Sequence, residues 1–339
     1  MQIKTLRKPL NTTMRTVQPL AEHDRAAKED ILDFAGSVSM GLQATPRTLQ
    51  SRFLYDARGS MLFEQITRQP EYYLTRTEAS ILAASARAIR ESSGAATLVE
   101  LGSGNSEKTD YLLRAWLSRD TSVTYVPIDV CRNTLAKAER SIVLRHPAVQ
   151  VQTMNMDYRQ AFKAFPALSP ALVLFLGSSI GNFDEEGLPS FLQELHDSMG
   201  PGDFLLGGFD LVKSPRVIEA AYNDTAGVTA RFTLNLFDRM NRELGSGIRL
   251  DRVQHSAKYR ADRERVEIDA VFTATQNVTI KPLGEVHTIH QGERIRTEIC
   301  RKFRMETLLP FLESIGFRAR RIFTDKQQWF AVILLQKEG

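Results

Sequence analysis

Small and acidic residues follow several predicted strands, at the positions where open α/β sheets bind ligands. The segment 99-VELGSGNSEKT-109 leads out of a strand into Gly102-Ser103-Gly104, whose backbone can approach a ligand without a side-chain clash. The start of the following helix offers free N–H groups as hydrogen-bond donors. Dinucleotide-binding loops place a third glycine at position 107, where this chain has Glu107. The loop therefore does not predict pyrophosphate binding.

Acids after the next two strands complement this loop. Asp129 ends the run 123-VTYVPIDV-130, where a carboxylate can accept hydrogen bonds from both hydroxyls of a ribose. Asp157 follows the third strand, in a position suited to an adenine amino group. Lys108 could pair with a ligand carboxylate, and it could equally be a surface lysine. Each signal alone fits a solvated loop, but their order favours a ligand that contains a nucleoside.

The elements that must position these residues alternate along the chain from residue 95. Apolar runs predict strands at 96–101, 123–128, 149–153, 171–176 and 203–209. Helical spacing predicts helices at 106–118 and 132–145, which together with the strands form parallel βαβ units. A further helix at 305–317 precedes strand-like runs at 318–323 and 329–336, which the turn-prone Thr324-Asp325-Lys326 joins.

A terminal antiparallel hairpin after alternating βα units is similar to class I methyltransferases that use S-adenosylmethionine (SAM). This resemblance implies an α/β fold with a Rossmann-like sheet, and SAM as the cofactor. SAM has a ribose and an amino-acid tail but no phosphate, so the loop needs no third glycine. The predicted cofactor contacts are Gly102, Ser103, Gly104, Lys108, Asp129 and Asp157.

Residues 214–300 interrupt this pattern and predict an inserted α+β substrate-binding subdomain. They contain a helical pattern at 216–244, followed by strand-like alternation at 251–259, 264–281 and 285–300. Helical stretches at 22–41 and 76–91 are expected to pack on this insert or to cover the cleft. The predicted division is a flexible basic tail at 1–21, a SAM-binding domain made of 77–213 and 301–339, and an accessory subdomain made of 22–76 and 214–300.

The loop after the fourth strand, 176-LGSSIGNF-183, distinguishes between classes of methyl acceptor. Methyltransferases that act on the amines of nucleic acid bases commonly carry a Pro-Pro-aromatic loop here, which stacks on the base. This loop is small and polar with one amide, Asn182, and suits a compact polar group. Asn182 could alternatively occupy a left-handed turn position.

Five segments together resemble the histidine Nα-trimethyltransferases of ergothioneine biosynthesis, which form hercynine. They are 53-FLYDARGSMLFEQITRQPEYYLTRTEA-79, 99-VELGSGNSEKT-109, 174-LFLGSSIGNF-183, 221-AYNDTAGVTARF-232 and 296-RTEICRKF-303. The similarity extends from about residue 40 to the C-terminus. It implies an enzyme that transfers methyl groups from SAM to the α-amine of L-histidine.

The resemblance also implies the residues that bind the amino acid. A clamp for the amino-acid end falls on Tyr55, Tyr72, Asn182 and Tyr222, of which Tyr55 and Asn182 are the predicted catalytic residues. Phenol and amide donors can hold a carboxylate, and an aromatic face tolerates a growing quaternary ammonium through cation–π attraction. Glu298 corresponds to the carboxylate that binds the imidazole.

Two substrate-pocket positions depart from the histidine enzymes. Cys300 stands where they carry serine, and a thiol is a weaker hydrogen-bond partner than a hydroxyl. Ile268 stands where they carry methionine, and it is β-branched and stiffer. Glu298 still favours a ring with an N–H donor, which keeps histidine first. The alternative is a methyltransferase of the same family that acts on another amino acid or an aromatic amine.

Charge and composition weigh against other classes. The net charge of +4 comes from Lys4, Arg7, Lys8 and Arg15, which leave 40 basic and 40 acidic residues in the remainder. A neutral body and the missing stacking loop disfavour a nucleic-acid methyltransferase, and the complete clamp disfavours a non-catalytic SAM-binding module.

The expected setting is that of a small-molecule enzyme. The two cysteines suit a reducing compartment, and the longest apolar runs are far shorter than the ~20 residues of a membrane helix. We therefore expect a cytoplasmic monomer that binds an amino acid, with neither a nucleic acid nor a membrane as partner and with no metal.

Overall fold

A seven-stranded sheet lies at the centre of the computed structural model, which describes residues 20–338 and their side chains from residue 29 onward. In chain order the strands are β1 (Thr97–Leu101), β2 (Val123–Ile128), β3 (Val149–Val151), β4 (Ala171–Phe175), β5 (Phe204–Asp210), β6 (Val253–Arg260), β7 (Arg265–Phe272), β8 (Gln276–Ile280), β9 (Glu285–Ile289), β10 (Arg294–Arg301), β11 (Phe317–Thr324) and β12 (Phe330–Lys337). The central sheet has the order β11-β12-β5-β4-β1-β2-β3. Strands β1 to β5 are parallel, whereas β12 runs antiparallel to β5 and β11 antiparallel to β12.

This topology confirms the predicted fold class. The parallel strands have continuous apolar sequences because both faces of the sheet are covered, so that successive side chains are buried on either face. Leu98 packs on one face of β1, and Val99 and Leu101 pack on the other. The terminal hairpin turns at Asp325, whose carboxylate accepts hydrogen bonds from the N–H groups of Trp329 and Phe330, both at 2.8 Å.

Helices flank the central sheet and build the accessory region. They are α1 (Leu20–Gln43), α2 (Ala57–Ile66), α3 (Tyr73–Ser93), α4 (Thr109–Leu117), α5 (Arg132–Arg145), α6 (Tyr158–Ala161), α7 (Gly187–Ser198), α8 (Pro215–Tyr222), α9 (Val228–Arg239) and α10 (Met305–Ser314). The predicted helices at 22–41, 76–91, 106–118, 132–145 and 305–317 correspond to α1, α3, α4, α5 and α10. Residues 1–19 of the predicted basic tail lie outside the described residues, and Leu20 already belongs to α1.

The single helix predicted at 216–244 is wrong, because the chain breaks between α8 and α9. Asp224 accepts hydrogen bonds from the N–H groups of Val228 at 2.7 Å and Thr229 at 2.8 Å, and so caps a new helix. Gly227 supplies the left-handed backbone that the turn requires, with φ of +65°. A short π-helical turn, Met240–Leu244, then follows α9. The break places Tyr222 and Thr229 on either side of a sharp turn.

Two of the three strand-like runs predicted in the insert are also divided. The run 264–281 forms β7 and β8, and the run 285–300 forms β9 and β10. The second division occurs at a turn that contains Gly292, with φ of +87°. Strands β6, β7 and β10 make an antiparallel sheet in the order β10-β7-β6, and β8 pairs separately with β9.

The accessory elements share a hydrophobic core with one face of the central sheet. That core joins Leu98 and Leu172 of the central sheet to Phe237 of α9 and Ile268 of β7. The opposite face of the sheet packs on a second core that includes Phe191 of α7 and Leu312 of α10. The predicted boundary between the two subdomains stays a prediction. Among the described residues, no helix has the length and apolarity needed to cross a membrane.

Candidate active site

The loop after β1 contains two glycines with left-handed backbone. Gly102 and Gly104 have φ values of +69° and +52°, a region that favours glycine. A Cβ atom at Gly102 would lie 2.5 Å from the hydroxyl oxygen of Tyr158, at the start of α6. The Ser103 hydroxyl is buried and has no hydrogen-bond partner within the described part of the chain. The open space beside Gly104 and the unused Ser103 hydroxyl fit the polar groups of SAM.

Asp129 fastens this loop to the end of β2. Its carboxylate accepts hydrogen bonds from the N–H groups of Gly104 at 3.0 Å and Cys131 at 2.8 Å. Burial raises the pKa of Asp129 above its usual value, although these N–H donors oppose the shift. Each carboxylate oxygen keeps a further lone pair, so the side chain can still accept from ribose hydroxyls.

Asp157 lies at the third strand end of this edge and caps α6. It accepts a hydrogen bond from the N–H of Arg159 at 2.9 Å through one oxygen. Its second oxygen is the one suited to the predicted adenine contact. That contact stays a prediction, whereas the arrangement of Gly102, Asp129 and Asp157 on successive strand ends follows directly from the parallel sheet.

Lys108 is not a free surface lysine. Its ammonium group forms an ion pair with Glu78 of α3, whose side chain is fully buried. Glu78 also accepts hydrogen bonds from the N–H of Gly177, at 2.9 Å to both carboxylate oxygens. This pair therefore connects two loops. One is the loop between β1 and α4 (102–108), which we call the cofactor loop after its predicted ligand, and the other is the loop after β4. The sequence interpretation missed Glu78, although it lies in the quoted block TRTEA and is an acid on an amphipathic helix.

A second buried carboxylate, that of Glu100 in β1, is connected by hydrogen bonds to residues of the cofactor loop and of α4. It accepts hydrogen bonds from Thr109 Oγ1 at 2.7 Å and from the Tyr125 hydroxyl, which in turn contacts Ser106 Oγ at 2.8 Å. Burial raises the pKa of Glu100 to about 7, and these donors oppose the shift. An acid inside an otherwise apolar strand was the signal that could have identified it.

A pocket beside the loop after β4 brings together most of the predicted substrate residues. We call it the acceptor pocket, and its lining includes Tyr55, Tyr72, Gly177, Asn182, Tyr222, Thr229, Glu298 and Cys300. These residues come from distant parts of the chain. Gly177 belongs both to this lining and to the contact with Glu78, so the pocket is adjacent to the cofactor loop.

A β-bulge in β10 determines which side chains face the acceptor pocket. Arg296 pairs with Asp269 of β7, but Glu298 pairs with Ile268, so Thr297 is an extra residue in β10. In a regular strand, residues two positions apart such as Arg296 and Glu298 point to the same face. The bulge instead separates them: Arg296 forms an ion pair with Asp269, whereas Glu298 and Cys300 line the pocket.

Asn182 holds the polar end of the pocket together. Its Nδ2 donates a hydrogen bond to Glu298 Oε1 at 3.1 Å, and its Oδ1 accepts one from Cys300 Sγ at 3.5 Å. Burial raises the pKa of Glu298 to about 7, although Lys302 and the Asn182 hydrogen bond oppose the shift. The same burial raises the pKa of the Cys300 thiol, which stays protonated and able to donate.

The opposite wall of the pocket is aromatic. The Tyr72 ring lies edge-on to that of Tyr222, with centroids 6.2 Å apart, and Tyr55 packs edge-on against Phe232 at 5.3 Å. Burial raises the pKa of all three tyrosines well above the usual value, because desolvation disfavours the phenolate. They are therefore neutral hydrogen-bond donors.

The pocket lining differs from the sequence prediction at Thr229, which is an additional member, and at Ile268, which does not line the pocket. Thr229 was missed, although it lies in the quoted block AYNDTAGVTARF; its hydroxyl is buried and unpartnered among the described residues. Ile268 is buried opposite Glu298 and is not among the side chains that line the pocket. No group of three or more His, Cys, Asp or Glu side chains in residues 29–338 is arranged to hold a metal ion.

Comparisons with known proteins identify the family of this chain. Residues 34–337 match the sequence profile of a family described as histidine-specific, SAM-dependent methyltransferases. A histidine N-alpha-methyltransferase from Mycolicibacterium smegmatis is 40% identical over 297 residues, which cover 88% of this chain and 92% of that protein. A protein of the same name from Mycobacterium tuberculosis is 38% identical over 300 residues, covering 88% of this chain and 94% of its own length.

A longer fungal protein also matches. The ergothioneine biosynthesis protein 1 of Neurospora crassa is 33% identical over 272 residues, which cover 77% of this chain and 30% of that protein. The profile match covers every predicted site residue, and each bacterial relative covers 88% of the chain. This chain belongs to the family of SAM-dependent, histidine-specific methyltransferases.

Proposed function

We propose that this protein transfers methyl groups from SAM to the α-amine of L-histidine and repeats the transfer until hercynine forms. This reaction is the first step of ergothioneine biosynthesis. The observation that carries the proposal is the acceptor pocket itself. It combines neutral phenol donors with the amide of Asn182 and the half-buried carboxylate of Glu298, to which that amide donates, and it is adjacent to the cofactor loop.

Each ligand group has a partner of matching chemistry in this assignment. Tyr72, Asn182 and Tyr222 bind the substrate carboxylate, and ionised Glu298 accepts a hydrogen bond from the imidazole N–H. Gly102, Ser103 and Gly104 hold the amino-acid tail of the cofactor, with Lys108 near its carboxylate. Asp129 binds the ribose and Asp157 the adenine. Histidine needs a donor for its carboxylate and an acceptor for its ring N–H, and the pocket lining contains both kinds of group.

Bound SAM supplies a methyl group on a positively charged sulfur, which a neutral amine can attack in line. The residues of the chain position the amine, exclude water and allow its proton to leave. One N–C bond forms, one C–S bond breaks with its electrons kept by sulfur, and one proton is released for each transfer. We assign the proton path to water or to the Tyr55 hydroxyl, because Glu298, the one carboxylate among the described residues of the pocket lining, is assigned to the imidazole.

Repeated transfer follows from where the substrate is held. The clamp contacts the carboxylate and the ring, neither of which changes as the nitrogen gains methyl groups. The aromatic faces of Tyr55 and Tyr72 tolerate the quaternary ammonium through cation–π attraction. The partly methylated amines can therefore stay bound or rebind.

A second candidate is an N-methyltransferase of this family with a different amino-acid or aromatic-amine acceptor. It is supported by Cys300, whose thiol donates to Asn182 in the pocket, whereas Ile268 pairs with Glu298 across β7 and β10 and does not line the pocket. Incubation with SAM and one amino acid at a time, followed by mass spectrometry of the small molecules, separates the two candidates. The proposal expects methylation of histidine alone, and methylation of another acceptor in preference to histidine would overturn it.

We propose in addition that the enzyme acts as a cytoplasmic monomer. Cys131 and Cys300 are both buried free thiols, which agrees with a reducing compartment. Light scattering of the purified protein tests the monomeric state, and a mass of two or more chains would contradict it.

A further inference from the structure

A buried charge cluster lies behind Tyr222, outside the residues that line the acceptor pocket. It consists of Asp210 at the end of β5, Lys302 directly after β10, Lys213 and Tyr73. Asp210 accepts a hydrogen bond from the Tyr73 hydroxyl at 2.8 Å and forms ion pairs with Lys302 at 3.0 Å and with Lys213. Asp210 is fully buried, and Lys302 is 2% exposed.

Backbone contacts fix the position of Lys302 from both sides. The N–H of Lys302 donates to the carbonyl of Glu264 at 2.6 Å, and the N–H of Phe303 donates to the carbonyl of Asp210 at 2.9 Å. Leu211 and Phe303 form a parallel bridge that connects the end of β10 with the end of β5. Lys302 is therefore held at the junction of the accessory sheet and the central sheet.

Burial of this lysine is not explained by stability. Removing an ammonium group from water is costly, and a buried ion pair contributes little more than a well-packed apolar pair of similar volume. Asp210 already has Lys213 as a second cationic partner, so a charge at position 302 is not needed to balance it. The cluster contains two ammonium groups for one carboxylate, although burial lowers the pKa of Lys213 to about 8.

The hydrogen bond from Lys302 determines the direction of the Tyr222 hydroxyl. Lys302 Nζ lies 2.9 Å from the Tyr222 oxygen and 4.8 Å from the centre of its ring. An ammonium group can only donate, so the Tyr222 oxygen must accept, and its own hydrogen is left for another partner. Among the described residues, its nearest possible acceptor is the Cys300 thiol of the pocket lining, a weak acceptor whose pKa the Tyr222 hydroxyl lowers against the effect of burial.

We propose that the Lys302–Asp210 pair is a positioning device that makes Tyr222 a hydrogen-bond donor into the acceptor pocket, toward the carboxylate of the amino-acid substrate. The ammonium group of Lys302 also offsets the negative charge of the nearby Glu298, whose pKa it lowers against the effect of burial. This inference rests on the proposed function in one respect, namely that the substrate carries a carboxylate. Lys302 acts through Tyr222 and does not itself contact the substrate.

The test compares two ligands that differ only in the carboxylate, L-histidine and histamine, by calorimetric titration of the protein saturated with S-adenosylhomocysteine. For Lys302→Met we expect a loss of histidine affinity of about tenfold or more, the usual size for a hydrogen bond to a charged group. Histamine has no carboxylate to bind the Tyr222 hydroxyl. Its affinity should therefore stay within about threefold of wild type, a difference of less than 1 kcal/mol. Equal losses for both ligands would overturn the proposal.

Further variants separate positioning from a merely structural role. Tyr222→Phe should show the same selective loss, and the double variant should lose little more than either single variant, because both changes remove one interaction. Lys302→Arg keeps a donor and should recover part of the affinity. If Lys302→Met fails to fold, Tyr222→Phe decides: unchanged discrimination between histidine and histamine would refute the account.

The experiment also distinguishes this inference from the proposed function. If the wild-type enzyme prefers another amino acid, that amino acid and its decarboxylated amine replace histidine and histamine. The comparison then tests Lys302 although histidine specificity has failed. Binding of S-adenosylhomocysteine with unchanged affinity shows that each variant is folded.

Discussion

At Glu298, the charge that substrate binding requires lowers the stability of the folded protein. Its carboxylate lies in a pocket that disfavours charge, so burial raises its pKa to about 7. Binding an imidazole N–H requires the ionised form, which is also the form that burial destabilises. The residue therefore fits its proposed role at a cost to the folded state, as functional sites often do.

Glu298→Gln should accordingly stabilise the protein and impair histidine binding. The pKa of Glu298 is higher folded than the ~4.3 of an unfolded chain, so its contribution to stability declines as pH rises from ~4 to ~7. We expect the variant to be more stable than wild type by about 1–2 kcal/mol at pH 8, after allowance for the solvent that reaches the pocket. This advantage should disappear near pH 4.5. Urea unfolding at both pH values measures the difference, and a pH-independent difference would contradict the shifted pKa.

Gly102 provides a second test at the residue scale. Gly102→Ala adds a Cβ atom 2.5 Å from the Tyr158 hydroxyl at a φ of +69°, so we expect affinity for S-adenosylhomocysteine to fall about tenfold. Gly94→Ala is a matched control, since Gly94 has a φ of +73° and nothing within 4 Å of the added atom. Both variants should lose stability, but only Gly102→Ala should lose affinity in a calorimetric titration. An equal effect on affinity would remove Gly102 from the cofactor site.

At the scale of elements, the break between α8 and α9 shapes the acceptor pocket. Tyr222 ends α8, and Thr229 lies in the first turn of α9. The Asp224 carboxylate fixes this turn by accepting two N–H hydrogen bonds, and these donors hold the pKa of Asp224 below its usual value although burial opposes the shift. The cap thus positions two side chains of the pocket from neighbouring helices.

Asp224→Ala should lower the free energy of unfolding by about 1–2 kcal/mol at pH 7, because the first two N–H groups of α9 lose their side-chain acceptor, as when an N-cap side chain is removed. The loss should shrink as pH falls below ~4, because the wild-type carboxylate is then protonated and its depressed pKa no longer contributes. Asp251→Ala is the control, because that side chain is 64% exposed and makes only surface ion pairs. Chemical denaturation compares the two variants. Equal stabilities would show that Asp224 does not cap α9.

Local sequence patterns predict the central sheet but do not predict the features that shape the acceptor pocket and its surroundings. Apolar runs and helical spacing predicted the parallel strands and the terminal hairpin, because such patterns depend on burial alone. The helix break at Asp224 was present in the sequence as a capping residue before Gly227 and was overlooked. The bulge at Thr297 depends on how β10 pairs with β7, and no property of β10 alone shows it. Lys302 and Glu78 look like ordinary surface residues until distant segments bury them.

For the whole molecule, the shared core predicts one cooperative unit. The hydrophobic cluster on one face of the central sheet continues into the accessory elements, and Glu78 connects α3 with the loops after β1 and β4. Neither part of the chain has a separate core on that face. The cofactor site and the acceptor pocket are therefore built on one continuous interior.

Unfolding by heat should consequently be a single transition in scanning calorimetry, with equal calorimetric and van't Hoff enthalpies. S-adenosylhomocysteine at 100 times its Kd should raise the stability of the whole unit by about 2.7 kcal/mol. Two separate transitions, of which the ligand shifts only one, would mean that the accessory elements unfold independently.

The most direct test of the central claim is to locate the methyl groups on the product. Purified protein is incubated with L-histidine and SAM, and the small molecules are fragmented by mass spectrometry over a time course. The account predicts one, then two, then three methyl groups, all on the α-nitrogen, because the pocket holds the carboxylate and the ring and leaves the amine free. Methyl groups on an imidazole nitrogen, or no methylated histidine, would contradict it.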